Sequence, residues 1–491
     1  MDVRLTKQDG PARLSALEEW GQEPCGAECT AIAERAAVLL DQACVHLPVK
    51  RLREFGPVEA LRRLGAGLPE TRAQFYRALL AIFSALGDRH TQCHLPEPWA
   101  SRVAYLPFLV REFFDDGKRR VAVVSSAVEG LRRGDILTSW DGLPITTVLR
   151  RHMAQQLGAN REARLAKAVQ TLTFRPLAWM PPPEGEVRLE VESSDGRRRR
   201  LRLEWQVAEF SWVIERLTPL LKADGVDEAF SDEGLRARVI ETTKGPLGHI
   251  RVASFQTRPD VFLPAFLAAL ETVPSRGLVL DLRGCEDGII STAERLLQLF
   301  TARRIEPQPF QFRLTDLIRE LVATAPALAG WRDAVEKAAR QGRKYSAGQP
   351  LTSRGEANSV GQKYSGPVVV LVDALTYSSA EMFTAGFQDH DIGLVLGVAR
   401  RTGGGGASPW HQTMIHKLSG KEVFRPLPDA PALRVAVRRC RRVHARSGQL
   451  VEGVGVTPDL FHLPTRNDLF TGDSDLMEKV SGLLAEKNNR A

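Results

Sequence analysis

The stretch GPVVVLVDALTYSSAEMFTAGFQD, residues 366–389, decides how this chain is read. Its first half is an apolar, β-branched run ending at Asp373, the pattern of a strand buried on both faces. From Ser378 onward it reads straight into a helix. A buried strand that turns at once into a helix is the unit of an α/β layer. The junction, Ser378-x-x-Glu381, has two readings. As a capping box, the hydroxyl accepts from an orphan amide of the first turn and the glutamate reaches back. As a nucleophile, Ser378 would sit where the positive helix end and free N–H groups stabilise an oxyanion.

The alternation continues on both sides. GHIRVASF (248–255), GLVLDLRG (277–284) and DIGLVLGVA (391–399) are short and β-branched, with PAFLAALETV (264–273) and TAERLLQLF (292–300) between them. They predict an α/β layer with a buried sheet within 207–491. Residues 27–87 repeat apolar positions at three-to-four spacing and predict helices in an N-terminal region, 1–102. From 103 to 206 the texture changes to short strands and turns. These close with the hairpin EVRLEVESSDGRRRRLRLEW (186–205) about Asp195-Gly196. A helical insert, REARLAKAVQTL (161–172), interrupts them, and FSWVIERLTPLLK (210–222) reads as a helical connector.

Composition excludes several classes. Over 491 residues, 43% hydrophobic and 26% charged is ordinary for a soluble globular chain of two to four domains. Lys+Arg exceed Asp+Glu by 67 to 59, a net charge of +8, concentrated in Arg197–Arg200 and in RVAVRRCRRVHAR (434–446). The first run reads as the flank of a hairpin turn, the second as a strand with one solvated face. Neither interleaves aromatics with its basic residues, so no nucleic-acid partner is expected. No apolar stretch is long enough for a membrane span. No leader is visible in MDVRLTKQDGPARLSALEEW (1–20), so the setting is expected to be cytoplasmic, or periplasmic or exported if a leader is missing. Six scattered cysteines offer no zinc spacing, and neither a metal nor a cofactor is expected. Gly403–Gly406 has no P-loop lysine and reads as a flexible loop facing substrate.

Four places are chemically loaded: LGDRHTQ (86–92), LVLDLRGCEDGIIS (278–291), Ser378–Glu381 and GQLVEGVGVTPDLF (448–461). Gly134-Asp135-Ile136-Leu137 followed by Trp140-Asp141-Gly142 resembles the signature of PDZ domains. That likeness implies an extended polypeptide ligand added to a sheet edge. The order of L-G-D-x-H-T, a PDZ-like module, D-L-R-G-x-x-x-G, S-x-A-E and E-G-x-G-V-x-P-D is similar to the S41 serine peptidases, the C-terminal processing, or tail-specific, and tricorn-type proteases.

The resemblance implies a crotonase-like (ClpP-type) α/β peptidase core behind an N-terminal helical part and a PDZ-like β-rich domain. It makes Ser378 the nucleophile of an acyl-enzyme mechanism, with the Ser379 amide and the Gly288 turn supplying the oxyanion donors. Polypeptide substrates, including C-terminal segments, follow, and a homo-oligomer is compatible. One departure is informative. Ser–Lys members carry a lysine that aligns with Gly403, so this chain cannot use that dyad. Lysine-free members take their base from the L-G-x-x-H loop, which makes His90 the general base, with an ordinary pKa near 6.5 and activity falling between pH 6 and 7. Glu452 aligns with a glutamate of tricorn-type members, and Asp88 stands close in sequence; either would orient the imidazole. Glu381 remains a helix cap beside the nucleophile. Two rivals stay open at this level: an inactive S41-like binding protein, and a crotonase-type acyl-CoA enzyme, which the PDZ-like block and the serine disfavour.

Overall fold

Val368–Val372 lies inside a six-stranded sheet. The strand order is Leu235–Ile240, Leu247–Val252, Leu278–Asp281, Val368–Val372, Leu394–Gly397 and Leu460–Phe461. The first pair is antiparallel and every later pair parallel. In this computed structural model, residues 11–17, 20–50, 56–215 and 231–488 are described. The leader question at residues 1–10, and the last part of the connector, 216–222, lie outside them.

Period-two alternation sorts the strand residues between two cores. Val368, Val370 and Val372 join Leu278 and Leu280 against Phe262, Phe266, Leu296, Phe383 and Phe387, which come from three helices. Val369, Leu371 and Val279 face the other way, onto Leu476, Met477, Val480 and Leu484 of the Ser474–Asn488 helix. Covered on both faces, the parallel strands can be apolar throughout, as the 366–372 run is. At roughly 25 cal/mol per Å² of apolar area, a buried valine or leucine contributes about 1.5–3 kcal/mol.

A second sheet was not foreseen in full. Gln349–Pro350, Pro309–Phe312, Ala432–Cys440 and Ala407–His411 pair in that order, and Gln92–His94 adds to Ala432–Cys440. The strand expected in 434–446 is present up to Cys440, but its solvated face is corrected. Arg438 lies over the rings of Phe312, Trp331 and Trp410 at 5.4, 5.9 and 5.5 Å. Arg442 is buried, with Nη2 2.6 Å from Asp389 Oδ1. The stems of these arginines fill core space while their heads find π-faces or a carboxylate.

The 103–206 stretch forms an antiparallel sheet in the order Arg198–Glu204, Glu186–Glu192, Ile136–Trp140, Lys118–Ser126 and Phe108–Asp115. The expected hairpin is present, with Arg198, Arg200 and Arg202 paired to Glu192, Glu190 and Glu186 across it. Asp141 and Gly142 both have positive φ, 48° and 76°, as the tight turn after Trp140 requires. Helices occupy Ala27–Ala43, Pro57–Ala66 and Arg72–Ala85 ahead of it. Among the described residues, no helix is long and apolar enough to cross a membrane.

Candidate active site

The carboxyl ends of adjacent parallel strands are where ligands bind in open α/β sheets. Here the ends of Leu278–Asp281 and Val368–Val372 are sewn together. Gly284 N–H donates to Asp373 Oδ1 at 3.0 Å, Thr376 Oγ1 to the Leu282 carbonyl at 2.9 Å, and Tyr377 N–H to the Cys285 carbonyl at 2.9 Å. The turn carrying Ser378 and the turn carrying Gly288 are thus one hydrogen-bonded unit.

Ser378 ends that unit at φ 58° and ψ −124°, as the residue before the Ser379–Asp389 helix. A non-glycine residue there stores about 1–3 kcal/mol of strain, a mark of functional turns. Its side chain makes no capping bond, so half of the capping box is absent. The hydroxyl instead lies 3.0 Å from His90 Nε2, a partner 288 positions away in sequence. Both residues are buried, His90 fully and Ser378 to 6% exposure.

His90 is held from several directions. Its backbone N–H donates to Asp88 Oδ1 at 2.8 Å, and Asp88 Oδ2 accepts from Thr91 Oγ1 at 2.7 Å. The Thr91 hydroxyl oxygen also accepts from Ala436 N–H at 3.1 Å, which fastens the loop to the second sheet. Tyr377 packs on the imidazole with ring centroids 4.8 Å apart. Burial pushes the His90 pKa down to about 3, against the pull of Asp88 and with that of Arg434 and Arg89. Burial of this kind favours the neutral imidazole, and so moves the expected acid fall in activity to below pH 6–7.

Among the described residues, His90 Nδ1 is buried without a hydrogen-bond partner. Neither Asp88 nor Glu452 holds that nitrogen directly. Asp88 braces the loop backbone, and Glu452 Oε2 lies 3.6 Å from Nε2 of His46, a buried residue that sequence reasoning missed. The ligand atoms of His46, Asp88 and Glu452 come within 4.8 Å of one another, a donor set suited to a divalent ion.

Gly288 forms a parallel bridge to Phe255, with Phe255 N–H donating to Asp287 O at 3.2 Å and Ile289 N–H to Phe255 O at 2.7 Å. The Gly288 N–H is consequently turned away from Phe255. A Cβ at 288 would overlap the Phe255 backbone, which is why glycine stands there. Ser379 is fully buried and opens the helix, where a first-turn amide has no partner within the helix.

Glu381 does more than cap. Its carboxylate accepts from Gly404 N–H at 2.8 Å, Gly405 N–H at 2.5 Å and the Thr402 hydroxyl. Burial nonetheless pushes its pKa up to about 7, against these donors and the Ser378 backbone. Gly403–Gly406 is buried and tied down, which corrects the reading of it as a flexible loop. A Cβ on Gly403 or Gly405 would run into the Tyr377 ring, so position 403 has no room for a lysine. The flatness of this loop lets Tyr377 reach His90.

Residues 246–461 match the family model described as peptidase family S41, and residues 102–213 match that of a PDZ domain. Among solved structures, mature CPAF is similar at 18% identity and a TM-score of 0.72, over 95% of this chain and 99% of that one. Mature CPAF complexed with lactacystin is similar at 18% identity and a TM-score of 0.70, over 95% and 100%. At this identity the likeness is one of fold.

Proposed function

The chain is a serine peptidase of family S41 with a PDZ domain, and from that premise we propose that Ser378 is its nucleophile and His90 its general base. The observation that carries this reading is the 3.0 Å contact between His90 Nε2 and Ser378 Oγ, made in a buried, strained turn. With Nε2 facing the hydroxyl, the neutral imidazole accepts the serine proton as Oγ attacks a peptide carbonyl. The tetrahedral oxyanion takes hydrogen bonds from the Gly288 and Ser379 amides. Collapse returns the proton from His90 to the leaving amine, and water repeats the sequence on the acyl-enzyme.

The substrates are polypeptides. A C-terminal segment as the preferred one is part of the proposal and rests on the PDZ match, since such domains take extended chain at a sheet edge. The oxyanion turn alone would also suit acyl-CoA chemistry, but a buried serine–histidine pair is superfluous there.

A fluorophosphonate probe should label Ser378 in the wild type, and Ser378→Ala should lose both label and peptide hydrolysis while staying folded. Full hydrolysis by that variant would overturn the assignment. The oxyanion turn and binding should leave a residue of about 10³-fold over water.

A further inference from the structure

The helix Arg161–Gln170, the insert of the PDZ-matched stretch, is not used by the chemistry above, yet it touches both walls of the site. At its start, Asn160 Oδ1 accepts from Ala163 N–H at 2.9 Å while Asn160 Nδ2 donates to the Thr402 carbonyl at 2.7 Å. Thr402 is the residue whose hydroxyl donates to Glu381. One turn in, Arg164 donates to the carbonyls of Gly158 and Ser84, at 3.0 and 3.2 Å. Near its end, Lys167 Nζ lies 2.6 Å from Glu286 Oε1, and Glu286 Oε2 pairs with Arg89. Glu286 stands two residues before Gly288, and Arg89 one before His90. The three side chains are 18%, 24% and 17% exposed, so their charges meet in a largely desolvated place.

We propose that Lys167 is a positioning residue for the oxyanion turn, and that the Arg161–Gln170 helix is a strap by which the PDZ-matched stretch completes the catalytic centre. The proposal rests on the assignment of Ser378 and Gly288 given above. Backbone bonds secure Cys285 and Asp287, on either side of Glu286, through their carbonyls. Among the described residues, no backbone hydrogen bond holds Glu286 itself, so its side chain sets the tilt of that peptide. Burial works to raise the Glu286 pKa; Arg89 and Lys167 overcome it and hold the carboxylate charged. Arg89 is also committed to the Tyr377 face, 5.1 Å from its centroid. Without Lys167, one cation must hold a buried carboxylate, and Glu286 would turn toward water, carrying the Gly288 amide with it. A displacement on the order of 1 Å at a catalytic group can cost about 10²-fold.

The test uses the full chain and compares wild type with Lys167→Met, Lys167→Arg, Glu286→Gln and Ser378→Ala. It measures kcat and KM on a peptide amide and on a small activated ester, together with the rate of fluorophosphonate labelling. Lys167→Met should lower kcat roughly 10- to 100-fold on both substrates and slow labelling in proportion, with KM within about two-fold. Lys167→Arg should recover most of the loss. Glu286→Gln should match Lys167→Met, and the double variant should be no worse than either, because all three break one clamp. The acid limb of the pH profile should not move. An unchanged kcat in both Lys167→Met and Glu286→Gln, a loss in KM alone, or an arginine variant as slow as the methionine one would overturn the proposal. Should Lys167→Met fail to fold, Glu286→Gln and Lys167→Arg decide in the same way. Activity retained by Ser378→Ala would instead bring down the nucleophile assignment, so the two failures are told apart.

Discussion

At the scale of single residues, His90 has the sharpest consequence. A general base works in its neutral form, and a lowered pKa extends that form to more acid conditions. With burial holding His90 near 3, protonation of this base should add no break to kcat/KM at 6.5, and any step near 7 should come from Glu381 and persist without the histidine. A titrating step at 6 to 7 that disappears in His90→Gln would contradict this. His90→Ala should cost about 10²- to 10⁴-fold, while Lys363→Ala and Lys417→Ala should be nearly silent. Ser378, His90, Gly288 and Ser379 were all legible as motif positions, because each belongs to a short run with a recognisable order. The roles of their neighbours were not. Glu381 follows Ser378 by three, and that spacing is equally a cap; only its three donors from 402–405 reveal the second role. His46 had no signal, being one histidine among 10 with its partner some four hundred positions away.

Elements show where sequence periodicity succeeds and where it stops. The apolar run 368–372 announced a two-sided buried strand, and the alternation at 186–204 announced its hairpin, since both patterns are local. The second sheet joins residues 92–94, 309–312, 407–411 and 432–440, and such long-range pairings leave no periodic trace. The glycine loop is the element whose nature changed most, from mobile to clamped. Glu381→Gln would turn one acceptor into a donor that faces an amide, leaving buried groups unpaired at about 1–3 kcal/mol. The variant should melt earlier and lose kcat as Tyr377 and His90 loosen. A melting temperature and rate equal to wild type would show the tie to be dispensable. The Arg161–Gln170 helix also alters how the PDZ domain should be dissected. Removing 103–206 deletes Asn160 and Lys167, so protein and ester hydrolysis should fall together. Substitutions along the Phe108–Asp115 edge short of Phe114, whose N–H already donates to the Pro464 carbonyl, are the cleaner probe of peptide docking, and should weaken protein cleavage alone.

Across the whole molecule, charge is used inside as much as outside. A net charge of +8 with runs of arginine reads as solvated faces, yet Arg442 and Arg438 of the 434–446 run are internal fasteners, and Arg283 is a third. Arg283 forks onto Asp281 at 2.9 and 2.7 Å and onto Asp473 at 3.0 and 2.7 Å, joining the central sheet to the start of the last helix. Breaking such a pair leaves its partner charged and buried. Arg442→Ala should therefore cost about 3–5 kcal/mol, read as a lower denaturant midpoint with an unchanged slope. A shift below about 1 kcal/mol would mean that Asp389 finds water. Arg438 and Arg442 were not legible as internal because composition reports how many charges a chain carries, and only tertiary pairing reports where they go.

The strand Gln92–His94, which seats the histidine loop on Ala432–Cys440, sets a timetable for the newborn chain. His90, the proposed base, leaves the ribosome well before Ser378, the proposed nucleophile, and the platform that brings them together is later still. A nascent peptidase of this design should therefore stay harmless until residue 440 has been made. It becomes able to cut only after the PDZ-matched stretch that would direct it has been made.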